Sequence, residues 1–393
     1  MIRARRGDLG LFALSASAGL SSYVFSLLLD RMYGPLVLAH VLRLISATSA
    51  VTLPSAVVLL PIAAWAAHAP DLRRRLGRLQ VGALLLGGAS VGLFAVVDQH
   101  VPAAWLPGLA LLTAFASYPL YLGSGVLCGR GAFIAFGAVA AVPTVGRLLA
   151  LLGVLALHGT VVQVVWGVGV AALAAGVLAT VAAHAVRDAG AVATPAAPGA
   201  TWASALVALA VTAWLQSDIV FGSLRLAPQA ASLFAVIALL GKTPYWLAQP
   251  LATKAIAQES LGRARGTTMA WEIYAIGGAS LLGGVVLGAR VLGLMQVPAS
   301  GLLPLLAYFV GATLLARAYV GAGAAAQHGR HQWWPLLATF AIYALLAALW
   351  PTGVLGLALR FALGITLALA LQEALERRVG AVPAGGAQRT ATP

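Results

Sequence analysis

The sequence predicts an all-α integral membrane protein, with about twelve transmembrane helices in two six-helix lobes around a central cavity. Three observations carry that expectation. The mean hydropathy is +0.95 and only 9% of residues are charged, against about 25% in a soluble domain. Apolar stretches recur at lengths near the roughly 20 residues that a spanning helix needs. The cations gather in short clusters between those stretches, as cytoplasmic loops of membrane proteins do. In a soluble chain, a net charge of +14 and a pI of about 11.0 would point to nucleic acid. Here the arginines lie mostly at helix ends, so they anchor and orient, and no nucleic-acid partner is expected.

The elements follow in order. Met1-Ile2-Arg3-Ala4-Arg5-Arg6 before an apolar run looks like the start of a cleavable signal. However, 11–29 is long enough to span and shows no clear cleavage site, so 9–30 reads as a first, retained span. Further spans at 35–67, 80–98, 104–128, 131–157 and 161–185 complete an N-terminal lobe over 1–185. Residues 186–200 join Arg187-Asp188 to an Ala/Pro/Gly-rich run and read as a cytoplasmic linker. The C-terminal lobe, 201–379, carries spans at 201–225, 228–257, 268–290, 301–324, 333–350 and 354–375. The second and eighth spans are long enough to tilt or to project beyond the bilayer. The tail 380–393 is Ala/Gly/Pro-rich and reads as disordered.

Charge sets the orientation. With the N-terminus inside, fifteen of the 24 cations fall in inner segments and only Arg31, Arg225 and Arg290 in outer ones. That bias puts both termini in the cytoplasm. The halves also echo each other. Leu29-Asp30-Arg31-Met32-Tyr33-Gly34 leads into the span carrying Arg43, and Leu224-Arg225-Leu226-Ala227-Pro228 leads into the span carrying Lys242. Setting Gly34 against Ser232 brings Arg43 and Lys242 within one residue of each other. Parallel repeats of this type occur in transporters, with the substrate site between the halves.

Six cations lie within spans: Arg43, Arg147, Lys242, Lys254, Arg317 and Arg360. An ionisable group in hydrocarbon is costly unless it faces protein or water. Arg147 follows Pro143 and Gly146, which can loosen the fifth span, and Lys242 adjoins Gly241, Thr243 and Pro244. Arg43, Arg147, Lys242 and Arg317 are therefore candidate substrate-binding residues. Lys254, Arg317 and Arg360 lie nearer span ends, where snorkelling accounts for a cation. Asp218, in the outer half of the seventh span, either pairs with an interior cation or binds a coupling ion, and Glu272 begins the ninth. Four candidate cations against two acids favour an anionic cargo. A phosphate or pyrophosphate gains charge-assisted hydrogen bonds from Arg and Lys.

Other chemistries lack their residues. A lone Cys128 excludes an intramolecular disulfide and a cysteine metal site. The seven histidines form no His-Glu-x-x-His motif, and His328 and His331 have no neighbouring carboxylate in sequence. Gly241-Lys242-Thr243 copies the end of a phosphate-binding loop but lacks its earlier glycine and lies in a span. No catalytic residue, metal site or cofactor is expected, and the chain does not read as an enzyme.

Several segments together resemble the multidrug/oligosaccharidyl-lipid/polysaccharide (MOP) exporter superfamily, and within it the bacterial polysaccharide-biosynthesis flippase branch. They are Leu28-Leu29-Asp30-Arg31-Met32-Tyr33-Gly34, Gln216-Ser217-Asp218-Ile219-Val220, Ala230-Ala231-Ser232-Leu233-Phe234-Ala235 and Ala248-Gln249-Pro250-Leu251-Ala252. The resemblance implies a bacterial inner-membrane flippase that moves an undecaprenyl-pyrophosphate-linked oligosaccharide to the outer leaflet. It implies lobes that rock around the cavity and pyrophosphate held by cations on the second and eighth spans, here Arg43 and Lys242. It also brings in membrane lipid, a polysaccharide polymerase and glycosyltransferases as partners. The first span departs from the pattern, because it carries no Arg or Lys between Gly10 and Leu29. Arg147 is not carried over; it rests on its own position.

Two alternatives remain open at this stage. Asp71-Leu72-Arg73-Arg74-Arg75-Leu76-Gly77-Arg78 partly fits the loop motif of major-facilitator small-solute transporters. An integral-membrane glycosyl- or acyltransferase would need a general base near a loop and commonly a long outer loop, and the outer connections here are short.

Overall fold

A computed structural model of the chain describes residues 2–68, 72–97, 102–186, 200–260, 271–283, 299–350 and 353–380. The linker over 187–199 and the tail from 381 lie outside the described residues. Among the described residues there is no strand. The N-terminal lobe comprises α1 (Ile2–Tyr33), α2 (Pro35–Val51), α3 (Leu53–His68), α4 (Leu72–Val97), α5 (Leu106–Phe115), α6 (Tyr118–Gly129), α7 (Phe133–Ala156) and α8 (Val161–Ala185). The C-terminal lobe comprises α9 (Ala200–Arg225), α10 (Pro228–Gly241), α11 (Thr243–Ser260), α12 (residues 271–283), α13 (Leu302–Gln327), α14 (Trp334–Leu349) and α15 (Val354–Gly380). Eight of the described helical stretches are long and apolar enough to cross a membrane.

The helices map onto the twelve expected spans, and among the described residues three spans are broken. The second breaks at Thr52, the fourth at Ala116-Ser117 and the eighth at Lys242. The extra length of the second and eighth spans therefore accompanies mid-span breaks, where the sequence suggested tilt or projection. Each break has a proline close behind it: Pro54, Pro119 and Pro244. Proline withholds an amide and crowds the preceding turn. Hydroxyls then satisfy carbonyls at each break. Ser55 Oγ donates to the Thr52 carbonyl at 2.6 Å, Ser117 Oγ to Ala114 at 2.9 Å, and Thr243 Oγ1 to Leu240. Pro143 behaves differently: α7 runs unbroken through it, so the loosening expected there is absent. Gly146 lets α7 lie close on α8, since a Cβ at that position would come within 2.6 Å of Ala171 Cβ.

The breaks also correct the register of the repeat. Matched break to break, Lys242 corresponds to Thr52, and Arg43 lies nine residues upstream of it. Arg43 and Lys242 are not equivalent positions. The repeat itself shows in the lobe interface. There α1 packs on α11, α9 packs on α3, and α2 meets α10, as a two-fold relation between spans 1–2 and 7–8 requires. The turn from α1 to α2 explains Tyr33-Gly34: Gly34 sits at φ 87°, a left-handed conformation that closes a helix end. At the head of α8, Thr160 and Gln163 form a reciprocal capping box.

Small residues set the closeness of the helices. A Cβ on Gly108 of α5 would stand 2.5 Å from the Val165 carbonyl oxygen of α8, and Gly169 faces Gly108 across the same seam. Gly108→Val is therefore expected to force the two helices apart, at a cost of about 3 kcal/mol or more. The check is thermal unfolding of purified protein in detergent. An unchanged transition would mean that the seam is not close-packed.

Candidate functional site

A cavity of about 350 Å³ lies between the lobes. The N-terminal lobe supplies faces of α1 (Ser15, Ser22, Tyr23), the second-span break (Thr48, Thr52), α6 (Tyr121, Ser124) and α7 (Thr144, Arg147). The C-terminal lobe supplies α9 (Thr212, Gln216), Lys242 at the eighth-span break, and α11 (Thr243, Gln249). Among the described residues the wall carries two cations, with hydroxyls and amides around them. None of the described residues that line it is acidic.

Arg147 and Lys242, placed in mid-span by sequence, thus lie on one wall. The Arg147 Nε is buried without a hydrogen-bond partner among the described residues. Lys242 is differently placed: its side chain is 2% exposed and its ammonium turns behind the wall into the C-terminal lobe. There Nζ donates to Asp218 Oδ1 at 2.6 Å and to the Leu215 carbonyl at 2.5 Å. It also stands 5.9 Å from the centre of the Tyr308 ring. Asp218 is fully buried and does not line the cavity. Of the two roles open to it by sequence, the geometry displays the pairing with an interior cation.

The position of Asp218 follows from packing one turn earlier. Trp214, at i−4 on the same face of α9, donates from Nε1 to the Leu336 carbonyl of α14 at 3.0 Å. Its ring packs on Phe340, Tyr343 and Phe361, with centroids 5.6, 4.9 and 5.8 Å away. Gly364 makes room for the indole on α15. This aromatic cluster fixes the rotation of α9 and so aims Asp218 at the α10–α11 break.

The lobes also touch around the cavity. Tyr23 of α1 donates to the Leu240 carbonyl of α10 at 3.1 Å, two residues before Lys242. Nearer the face that holds the start of α1, Lys254 of α11 stacks 5.2 Å from the Phe133 ring centre of α7. Lys254 is 7% exposed, so it does not snorkel as its position near a span end suggested.

Arg317 does not line the cavity; its Nη1 approaches Gly321 of the same helix, on the side where Glu376 of α15 also lies. Arg43 belongs to α2 by its backbone, but its side chain lies outside the described residues. Arg360 donates from Nη1 to the Leu346 and Trp350 carbonyls, both at 2.9 Å, and so closes the C-terminus of α14. Glu272 is exposed on α12. His328, which has no acid beside it in sequence, meets Glu259 at 3.1 Å in space. Sequence reading missed the hydroxyl lining of the cavity and Tyr23. The available signal was the recurrence of a polar residue two positions before a proline: Thr52-Leu53-Pro54, Ser117-Tyr118-Pro119 and Lys242-Thr243-Pro244.

No protein-family model matches the chain, and no curated protein matches it. Solved structures match in fold. An outward-facing multidrug resistance MATE family transporter of the MOP superfamily is 13% identical with a TM-score of 0.66, covering 95% of each chain. The lipid II flippase MurJ, in an inward closed conformation, is 12% identical with a TM-score of 0.64, over 93% of this chain and 87% of that one. A MOP superfamily transporter from Pyrococcus furiosus, whose binding pocket is described as of reverse polarity, is 13% identical with a TM-score of 0.61, over 94% of each. The chain has the two-lobed fold of the MOP superfamily transporters, as the sequence resemblance implied. That fold displaces the major-facilitator alternative.

Proposed function

We propose that this chain is a membrane transporter that flips an anionic, lipid-linked saccharide, with its phosphate or pyrophosphate held between Arg147 and Lys242. One observation carries the reading: a cavity between the lobes whose described wall holds two cations and no acid. A cation pump would need the opposite balance, because a positive cargo gains nothing from Arg and Lys. The fold match to a lipid II flippase supports the same direction. The undecaprenyl-pyrophosphate oligosaccharide is the cargo of the polysaccharide flippase branch, and it fits a site that takes the anion while the lipid tail stays in the bilayer. Glycosyltransferases would supply this cargo on the inner face, and a polymerase would consume it on the outer face.

A cavity of about 350 Å³ is at the small end for ligand sites. It holds a headgroup, and an oligosaccharide crosses only when the lobes separate. Alternating opening follows from differential affinity for the two states, since a ligand shifts an equilibrium by nothing else.

The test is translocation of a fluorescent pyrophosphate-linked saccharide lipid in proteoliposomes, read as protection from a membrane-impermeant quencher. Protein-dependent movement that is lost with the neutral isoprenol-linked analogue is the expected result. Equal movement of the neutral analogue would overturn the reading. Orientation has its own check. With Cys128 replaced by Ser, a cysteine at Ala196 should resist an impermeant thiol reagent in intact cells, since the linker is proposed to be cytoplasmic. Ready labelling would reverse the topology.

A further inference from the structure

The cavity wall has two levels, and the helix registers fix them. Beside α1, α7 runs in the same direction: Gly137 lies on Leu11, and past the end of α7 the Gly159 carbonyl accepts from Tyr33. Arg147 therefore stands close to the level of Ser22. The eighth span runs the opposite way along α1, with Tyr23 on Leu240 and Gly19 near Leu247. Lys242 thus shares the level of Ser22, while Ser15, one turn before Gly19, lies beyond Leu247 on the side of Gln249. The first level carries Arg147 and Lys242. The second, nearer the start of α1, carries Ser15, Trp246 and Gln249.

Two observations at the second level point to a ligand. Ser15 is 8% exposed, and its Oγ has no hydrogen-bond partner among the described residues. Trp246 is 36% exposed, and of the aromatic residues on the described wall it is the exposed one. It lies one turn past Lys242, about 6 Å along the helix axis, so it is too deep for an interfacial anchor. Tyr245 packs on it at 83°, with ring centres 5.4 Å apart, which limits how the indole turns.

We propose that this second level is a saccharide subsite. Trp246 lies against the ring of the sugar next to the diphosphate, and Ser15 and Gln249 hydrogen-bond its rim. The proposal rests on the anionic-cargo reading and adds to it the place and class of the sugar. A pyranose has an apolar C–H face and a rim of hydroxyls, and an indole beside a hydroxyl and an amide matches both. The levels order the cargo: diphosphate at the cations, first sugar toward the face that holds the start of α1. Ser15, Trp246 and Gln249 carry no charge, so the subsite suits a neutral sugar.

The experiment titrates two probes of equal charge into the full chain in detergent: farnesyl diphosphoryl-N-acetylglucosamine and the methyl ester of farnesyl diphosphate. The sugar-bearing probe should bind at least about fivefold tighter. Trp246→Leu, which keeps an apolar side chain on the wall, should bring that ratio close to one, and Trp246→Phe should retain part of it. Ser15→Ala should lower the ratio less. Binding of the methyl ester to each variant shows that it is folded. A wild-type ratio of one, or a ratio that survives Trp246→Leu, would overturn the subsite and leave the anion site standing. So would a methyl ester whose affinity rises with a geranylgeranyl chain in the wild type but not in Trp246→Leu, because the indole then lies on lipid. If neither diphosphate binds, the anionic-cargo reading fails, and the subsite fails with it.

Discussion

Lys242→Met is expected to destabilise the protein by about 3–5 kcal/mol, because it takes the Lys242 ammonium away from a buried carboxylate. Asp218 is 0% exposed, and Lys242 meets it at 2.6 Å. Adding Asp218→Asn to Lys242→Met should return most of that loss, since a buried pair replaced as a unit is often neutral. The check is thermal unfolding of the single and double variants in one detergent. A single variant that melts like the wild type would mean that the pair is not formed, or that solvent reaches Asp218. This also changes how a transport defect at Lys242 should be read: lost function in Lys242→Ala includes a folding defect. Only the double variant isolates the missing contact to cargo.

Arg147 should behave in the opposite way. No described partner is stranded when it goes, so Arg147→Gln should fold at least as well as the wild type. Its effect should fall on cargo. A charge-assisted hydrogen bond is worth roughly 1.5–3 kcal/mol, which is about a ten- to hundredfold loss of headgroup affinity. Arg147→Lys keeps the charge but not the planar fork, and should recover part of it. Titration of a lipid diphosphate into each variant reads both. An unchanged affinity for Arg147→Gln would remove this residue from the site.

The number of spans was legible because hydropathy reports burial in lipid directly, and the charge clusters punctuate it. The breaks were not read, because hydropathy responds to apolarity and not to the amide a proline withholds. Yet Thr52, Ser117 and Lys242 each stand two residues before a proline, so the signal was there. Proline alone does not decide the matter: α7 passes through Pro143, and α11 through Pro250, without breaking. Arg147 was found because a mid-span cation is rare. The partner of Lys242 was not fixed in advance, because Asp218 lies 24 residues away on another helix, aimed by the packing of Trp214. Arg43 was matched to Lys242 by setting Gly34 against Ser232, and the count fails because Gly34 precedes α2 whereas Ser232 lies inside α10, which starts at Pro228 and is also shorter, with 14 residues against 17. Arg360 was assigned to snorkelling. Its role on the carbonyls of α14 depends on how α14 and α15 cross, which no local pattern encodes.

The most direct measurement is a charge series: affinities of purified protein for an isoprenyl diphosphate, monophosphate, alcohol and amine of one chain length. With Arg147 and Lys242 on the wall and no acid among the described residues that line it, affinity should fall in that order. The diphosphate should bind at least about tenfold tighter than the alcohol, and that difference should shrink in Arg147→Gln. Equal affinity for diphosphate and alcohol, or tighter binding of the amine, would contradict an anion site between the lobes.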